Sequence, residues 1–233
     1  MADGKRGVGD LIGEEHMEGH GQRPSERRRL LVLDLDETLI HAADVPLPAR
    51  APDFRAGRYH AYKRPHIDAF LAGCLARFDT AIWTSASPDY AAECAARLLP
   101  DPSALAFLWA SDRCARAYDP DAANYYWRKP LAKLRRLRRA RGLGRGDVLA
   151  VDDSPEKWEL SWGNLISVRP FTGDPDDDEL PHLLAYLDAI RDAPDWRTLD
   201  KRGWRSQVAA AAEDRAVGAD RTGIITCRGE DKG

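Results

Sequence analysis

The chain has 233 residues, with 35 Lys and Arg against 38 Asp and Glu, a formal net charge of -3 at neutral pH. That length suits one domain with tails, and so even a balance excludes the strong basic field of a general nucleic-acid or membrane-surface binder. No window approaches roughly 18 consecutive apolar residues, and the N-terminus lacks the pattern of a signal peptide, so a cytoplasmic setting is expected.

Residues 1–28 are rich in Gly, Glu and Arg without apolar periodicity and read as a disordered leader. His16 and His20 stand four apart, a spacing that suits a metal on a helix. The glycines beside them favour solvated tail histidines. Leu30–Leu35 is a short apolar run ending in carboxylates, a buried strand of the parallel type. Residues 59–63 (YHAYK) alternate and pair with the segment before Gly57 as a hairpin. From Pro65 a helix begins, whose Ile67, Phe70, Leu71, Cys74, Leu75 and Phe78 share one face.

Thr80–Trp83 reads as a second strand. Ser87-Pro88 then opens a helix, with Ser at the N-cap and Pro in the first turn. Phe107–Ala110 reads as a third strand and Pro130–Ala140 as a basic helix stopped near Gly142. Asp147–Val151 and Asn164–Val168 read as two more strands, and Leu180–Ile190 as a closing helix. From about Arg197 the chain turns polar again, with a short surface helix expected over 207–217. A domain over 29–195 with a C-terminal tail from 196 is the resulting division. Of the four cysteines, Cys74, Cys94, Cys114 and Cys227, no two lie at a C-x-x-C spacing; all read as free thiols.

Strands alternating with helices predict an α/β fold, a Rossmann-like parallel sheet with helices on both faces. In such sheets ligands bind beyond the strand C-terminal ends. There the first strand offers Asp34-Leu35-Asp36-Glu37-Thr38, the second Thr84-Ser85, and the fourth Asp152-Asp153-Ser154. Arg128-Lys129-Pro130 stands before the basic helix. Carboxylates gathered this closely repel unless a cation sits among them, and magnesium, a hard ion that keeps waters and takes substrate phosphate, is the natural one. Each piece alone has a plainer reading. Asp34 and Asp36 suit a turn, Thr84 an N-cap, Lys129 a surface lysine, and Asp152 with Asp153 a helix cap before Pro155. Their joint occurrence at strand ends is what points to phosphoryl chemistry.

The segments DLDETLIH, KRPHIDAFL, IWTSASPDYA, RKPL and VDDSPEKW together resemble the haloacid dehalogenase superfamily of aspartate phosphatases. Within it they are most similar to the branch of NLI-interacting-factor-like proteins and small phosphatases of the RNA polymerase II C-terminal domain, over about Leu30 to Ile190. The resemblance implies a magnesium-dependent phosphomonoesterase acting on phosphoserine or phosphothreonine in protein. It makes Asp34 the nucleophile and Asp36 the general acid/base, with the Asp34 carboxylate and the Asp36 backbone carbonyl also binding the metal. Thr84 holds a phosphoryl oxygen, and Lys129 offsets charge on nucleophile and phosphate. Asp153 is a direct metal ligand, with Asp152 its acidic neighbour.

Arg113, in an Asp112-Arg113-Cys114 segment that matches the branch only loosely, is a candidate phosphate contact. A small β insertion is implied between Ile40 and Lys63. The same motifs leave open a small-molecule or nucleic-acid-end phosphatase and a catalytically silent binding module on the same fold. Two charge runs complete the picture. Residues 128–145 hold nine Lys or Arg and read as a solvated face or a dock for an acidic partner, and residues 174–179 hold five acids and read as a loop.

Overall fold

The structure, a computed structural model, describes residues 28–211. A five-stranded sheet forms its centre, built from β1 (Leu30–Leu33), β5 (Asp79–Trp83), β6 (Leu108–Trp109), β9 (Val148–Asp152) and β10 (Leu165–Ser167). The order is β10-β9-β1-β5-β6, and every pairing is parallel. The strand period of two explains why β1 is apolar throughout. Leu31 and Leu33 pack into one buried cluster with Ile82, Leu149 and Val151, while Leu30 and Val32 pack into another with Ala81, Trp83, Val148 and Ala150.

The first face is covered by α1 (Ile67–Arg77), α2 (Pro88–Leu98) and α4 (Glu179–Ile190), whose Phe70, Cys94 and Leu183 enter the core. The second carries Leu131, Leu134, Leu143 and Trp158. Here the expected basic helix is shorter than its pattern. Leu131–Leu134 is a 3-10 turn, and only α3 (Arg135–Ala140) is α-helical. Arg135, Arg138 and Arg139 fall at helical i,i+3 and i,i+4 spacings, where like charges oppose the helix, and no side chain caps its start.

Two small sheets flank the centre. One follows β1 and comprises β2 (Ile40–Ala43), β3 (Phe54–Ala56) and β4 (Tyr59–Lys63), antiparallel in the order β2-β4-β3. Gly57, at φ 56°, makes its β3–β4 turn. The other is a hairpin that the sequence reading missed, β7 (Ala115–Asp119) against β8 (Asn124–Arg128).

Beyond residue 195 the chain is more than a tail. Trp196 is fully buried, with its indole NH on the Ile190 carbonyl and its ring edge-on to Phe78. Residues 204–211 are helical, and Trp204 and Val208 join the core. The acidic run is the expected loop as far as Asp178, after which α4 begins, but it is anchored by ion pairs. Asp177 takes a bidentate pair from the buried Arg64 guanidinium at 2.7 and 2.9 Å, and buried Glu179 pairs with Arg169 and Arg205. Cys74, Cys94 and Cys114 are buried free thiols. No described helix is long and apolar enough to cross a membrane. The leader histidines and Cys227 lie outside the described residues.

Candidate active site

Register brings the site together. Leu33 pairs with Val151 on one side and Ile82 on the other, so β1, β9 and β5 end almost level. The next residues are then neighbours in space: Asp34 after β1, Asp152 closing β9, and Thr84 after β5. The Asp34 amide donates to the Val151 carbonyl at 2.9 Å, and the Thr84 amide to the Trp109 carbonyl at 2.9 Å.

Asp34 is 2% exposed and Lys129 1% exposed, so each needs an ionic partner. The Lys129 ammonium lies 2.5 Å from Asp34 Oδ1 and 2.6 Å from Asp152 Oδ2. Lys129 is itself fixed by its amide, which donates to the Lys157 carbonyl at 2.7 Å. A second ammonium, which the sequence reading passed over, closes the other side. Lys157 Nζ is 3.5 Å from Asp34 Oδ2 and 3.6 Å from Asp152 Oδ1. Burial alone would lower the Lys157 pKa, but the charges of Asp34, Asp152 and Asp153 more than reverse this and hold it charged. Its signal lay within VDDSPEKW. Three residues beyond Ser154, a single 3-10 turn (Pro155–Trp158) swings the lysine back over the acidic pair.

Asp152 is bonded through both carboxylate oxygens. Oδ2 also accepts from the Trp158 indole at 2.8 Å, and Oδ1 accepts from the Ser154 amide at 3.0 Å. Asp153 is tied less tightly. The Thr38 hydroxyl lies 3.3 Å from its Oδ1, the Ser154 hydroxyl 3.1 Å from its Oδ2, and the Asp153 amide donates to Thr38 Oγ1 at 3.2 Å. Asp34, Asp152 and Asp153 each bring one carboxylate oxygen within 4.8 Å of the others, an all-oxygen donor set of the kind a hard divalent cation takes.

Asp36 sits on the tight turn after β1. Glu37 adopts a left-handed conformation there, φ 59°, and its amide donates to the Ile40 carbonyl at 2.7 Å. For a residue other than glycine this costs on the order of 1–2 kcal/mol, held by surrounding bonds. The Arg64 guanidinium grips the Thr38 carbonyl at 3.0 Å, and His41 Nδ1 meets Glu37 Oε1 at 2.8 Å. Asp36 Oδ1 accepts from the Tyr90 hydroxyl at 2.7 Å, and Oδ2 lies 3.3 Å from Thr84 Oγ1. Thr84 Oγ1 accepts from the Ala86 amide at 3.0 Å. Burial raises the Asp36 pKa, with help from the charge of Asp34, and the Tyr90, Thr84 and Lys157 contacts only partly offset it.

Tyr90 is a further residue the sequence reading missed. Its signal was positional: it is the third residue of α2, whose N-cap Ser87 accepts from the Tyr90 amide, so it faces back toward the strand ends. Arg113 is not brought into this group. It is exposed, pairs with Asp112 at 3.4 Å and lies 5.6 Å from the Trp109 ring centroid.

Comparison with known proteins bears on what such a site does. The family described as NLI interacting factor-like phosphatase matches residues 29–197, most of the chain. The chain belongs to this family. It is therefore a phosphatase, a hydrolase of phosphate esters, of the haloacid dehalogenase type that its motifs resembled. CTD nuclear envelope phosphatase 1B of zebrafish (Danio rerio) is 28% identical over 76% of this chain and 72% of its own length. Nuclear envelope morphology protein 1 of Saccharomyces cerevisiae is also 28% identical, over 75% of this chain and 42% of its own length. Among solved structures, an RNA polymerase II CTD phosphatase from fission yeast is 20% identical, with a TM-score of 0.46, over 87% of this chain and 68% of its own. The relatives' names overturn the expected cytoplasmic setting, since they belong to phosphatases and a morphology protein of the nuclear envelope.

Proposed function

We propose that this protein dephosphorylates phosphoserine or phosphothreonine in protein, with Asp34 as nucleophile and Asp36 as general acid and base. One observation carries the reading: the Asp34 carboxylate sits between two ammonium groups at a strand end, with a carboxyl of raised pKa two residues away. An Asp34 oxygen attacks phosphorus, and the bond from phosphorus to the ester oxygen breaks. Protonated Asp36 gives its proton to the leaving alkoxide, leaving an aspartyl-phosphate. In the second step Asp36 takes a proton from water, whose oxygen attacks phosphorus; the bond from phosphorus to Asp34 breaks, releasing phosphate and restoring the carboxylate.

Thr84 donates to a phosphoryl oxygen, exchanging its contact with Asp36. Lys129 and Lys157 face the charge that develops on the phosphoryl group. Asp152, bonded through both oxygens, orients Lys129 and Trp158. The donor set also fits Mg2+, which the carboxylates of Asp34 and Asp153 and the backbone carbonyl of Asp36 would hold. When bound, it supplies positive charge to the phosphoryl oxygens. Phosphoprotein substrates and a site of action at the nuclear envelope follow the relatives' names.

The test is phosphate release from an aryl phosphate with and without Mg2+, beside phosphopeptides, sugar phosphates and nucleotides. Activity should require the ion, favour phosphopeptides, and fall by at least about a thousandfold in Asp34→Asn. A folded wild-type protein that releases nothing from any of these would sink the proposal.

A further inference from the structure

The β7–β8 hairpin forms its own two-stranded sheet, joined to neither of the others. Side chains on a strand alternate in direction, and the pairing sorts them into two rows. Ala117, Tyr126 and Arg128 share the inner row. The Tyr126 hydroxyl donates to Glu159 at 3.0 Å and Arg128 to Glu159 at 2.6 Å, which fastens this row to the turn carrying Lys157. The outer row, Arg116 and Tyr118 opposite Trp127 and Tyr125, meets solvent. Tyr118, Tyr125 and Trp127 are 53%, 61% and 40% exposed, and these three make up half of the large hydrophobic side chains so exposed among the described residues. The Arg116 guanidinium lies 4.1 Å from the Tyr125 ring centroid, and the Tyr118 and Tyr125 rings meet at a tilt, 5.1 Å between centroids.

The outer row leads into the site. Arg128 turns to Glu159 and Lys129 turns to Asp34, so Trp127 shares the side of Lys129. At about 3.3 Å per residue, Trp127 stands about 7 Å and Tyr125 about 13 Å up the strand from Lys129. That is two to four residues of an extended peptide, and Tyr125 lies farther than a sugar phosphate reaches. Charge selects among longer ligands. Arg116 has no carboxylate at ion-pair distance among the described residues, while Asp119 and Asp121 lie at the hairpin tip and Glu156 and Glu159 beneath it. With Arg128 already paired to Glu159, one guanidinium beside the three other carboxylates suits a single acidic side chain and repels a polyanionic backbone.

We infer that this row is a docking strip for the polypeptide beside the phosphorylated residue. An apolar or aromatic side chain packs on Trp127 and Tyr125, and an acidic one pairs with Arg116. The inference rests on the phosphatase reading and names what that site selects.

The test compares kcat/KM of the full chain on five substrates. These are a phosphoserine peptide with aromatic and acidic residues on both flanks, the same peptide with alanine flanks, the same with lysine flanks, an end-phosphorylated oligonucleotide, and p-nitrophenyl phosphate. In a Tyr125→Ala, Trp127→Ala double variant, the ratio of flanked-peptide to aryl-phosphate activity should fall about tenfold or more. Arg116→Glu should abolish the preference for acidic over alanine flanks and create one for lysine flanks. Ratios within about twofold of wild type in both variants would overturn the strip while leaving the phosphatase intact. So would an end-phosphorylated oligonucleotide that outperforms the peptides and loses that advantage in the same variants. A wild-type protein silent on aryl phosphate and peptides alike overturns the phosphatase reading and the strip together.

Discussion

Asp36 is a carboxyl whose surroundings work against its ionised form, and this has consequences for both rate and stability. Burial is the largest influence and Asp34 adds to it, so the folded pKa lies above the ordinary value. In its proposed role of general acid, Asp36 is active when protonated, and kcat/KM should fall as pH climbs through that raised value. The Tyr90 hydroxyl bonds the carboxylate and pulls the other way. Tyr90→Phe should therefore move the alkaline limb of the pH–rate profile to higher pH, and a limb that stays put or moves down would refute the assignment. For stability, the folded state binds the Asp36 proton more tightly than the unfolded chain. The stabilisation is present below the unfolded pKa and lost as pH rises through the folded one. Asp36→Asn should accordingly raise Tm at neutral pH and change it little in acid, while abolishing turnover.

At the scale of the element, α2 shows how a local signal serves the site. Ser87 accepts from the Tyr90 amide, and Pro88 pre-sets the first turn. Ser87→Ala should cost about 1 kcal/mol in denaturant unfolding, and it should also lower kcat, because α2 carries Tyr90 against Asp36. These caps were legible in the sequence, as were the five strands of the central sheet, since Ser-Pro pairs and apolar runs act over a few residues. The β7–β8 hairpin was not. Its turn lacks a glycine, Ala123 taking the left-handed conformation instead at φ 50°, and its alternation exposes aromatics where a half-buried strand shows polar residues. Lys157 and Tyr90 were likewise hidden, because what matters in each is the direction a helical turn aims a side chain.

Over the whole molecule, distant segments lock the site loops in place. Arg64, which immediately follows β4, bonds the carbonyls of Thr38 and Arg169 and the carboxylate of Asp177. It thereby connects the turn after β1, the chain after β10 and the entry to α4. At the C-terminal side, Trp196 fills the space between Phe78 and the Arg29 guanidinium, 4.8 Å from its ring. Trp196→Ala should cost about 3–5 kcal/mol, read as a lowered urea midpoint with an unchanged slope. A chain ended at residue 195 should lose at least as much, whereas a boundary at 195 that left the Tm intact would mean Trp196 and the 204–211 helix pack without consequence.

The sequence by itself determined which carboxylates, which hydroxyl and which lysine stand near the strand ends of a parallel sheet, the pattern on which the proposed phosphoryl-transfer site rests. It could do so because strand and helix periods, caps and short motifs are properties of neighbouring residues. Only the tertiary structure decided which charges neutralise one another. The pairing of Lys157 with Asp34, the grip of Arg64 on Asp177, the exclusion of Arg113 and the burial of Trp196 span tens to over a hundred residues. They depend on register and on the desolvation of charges that meet only once the sheet has closed.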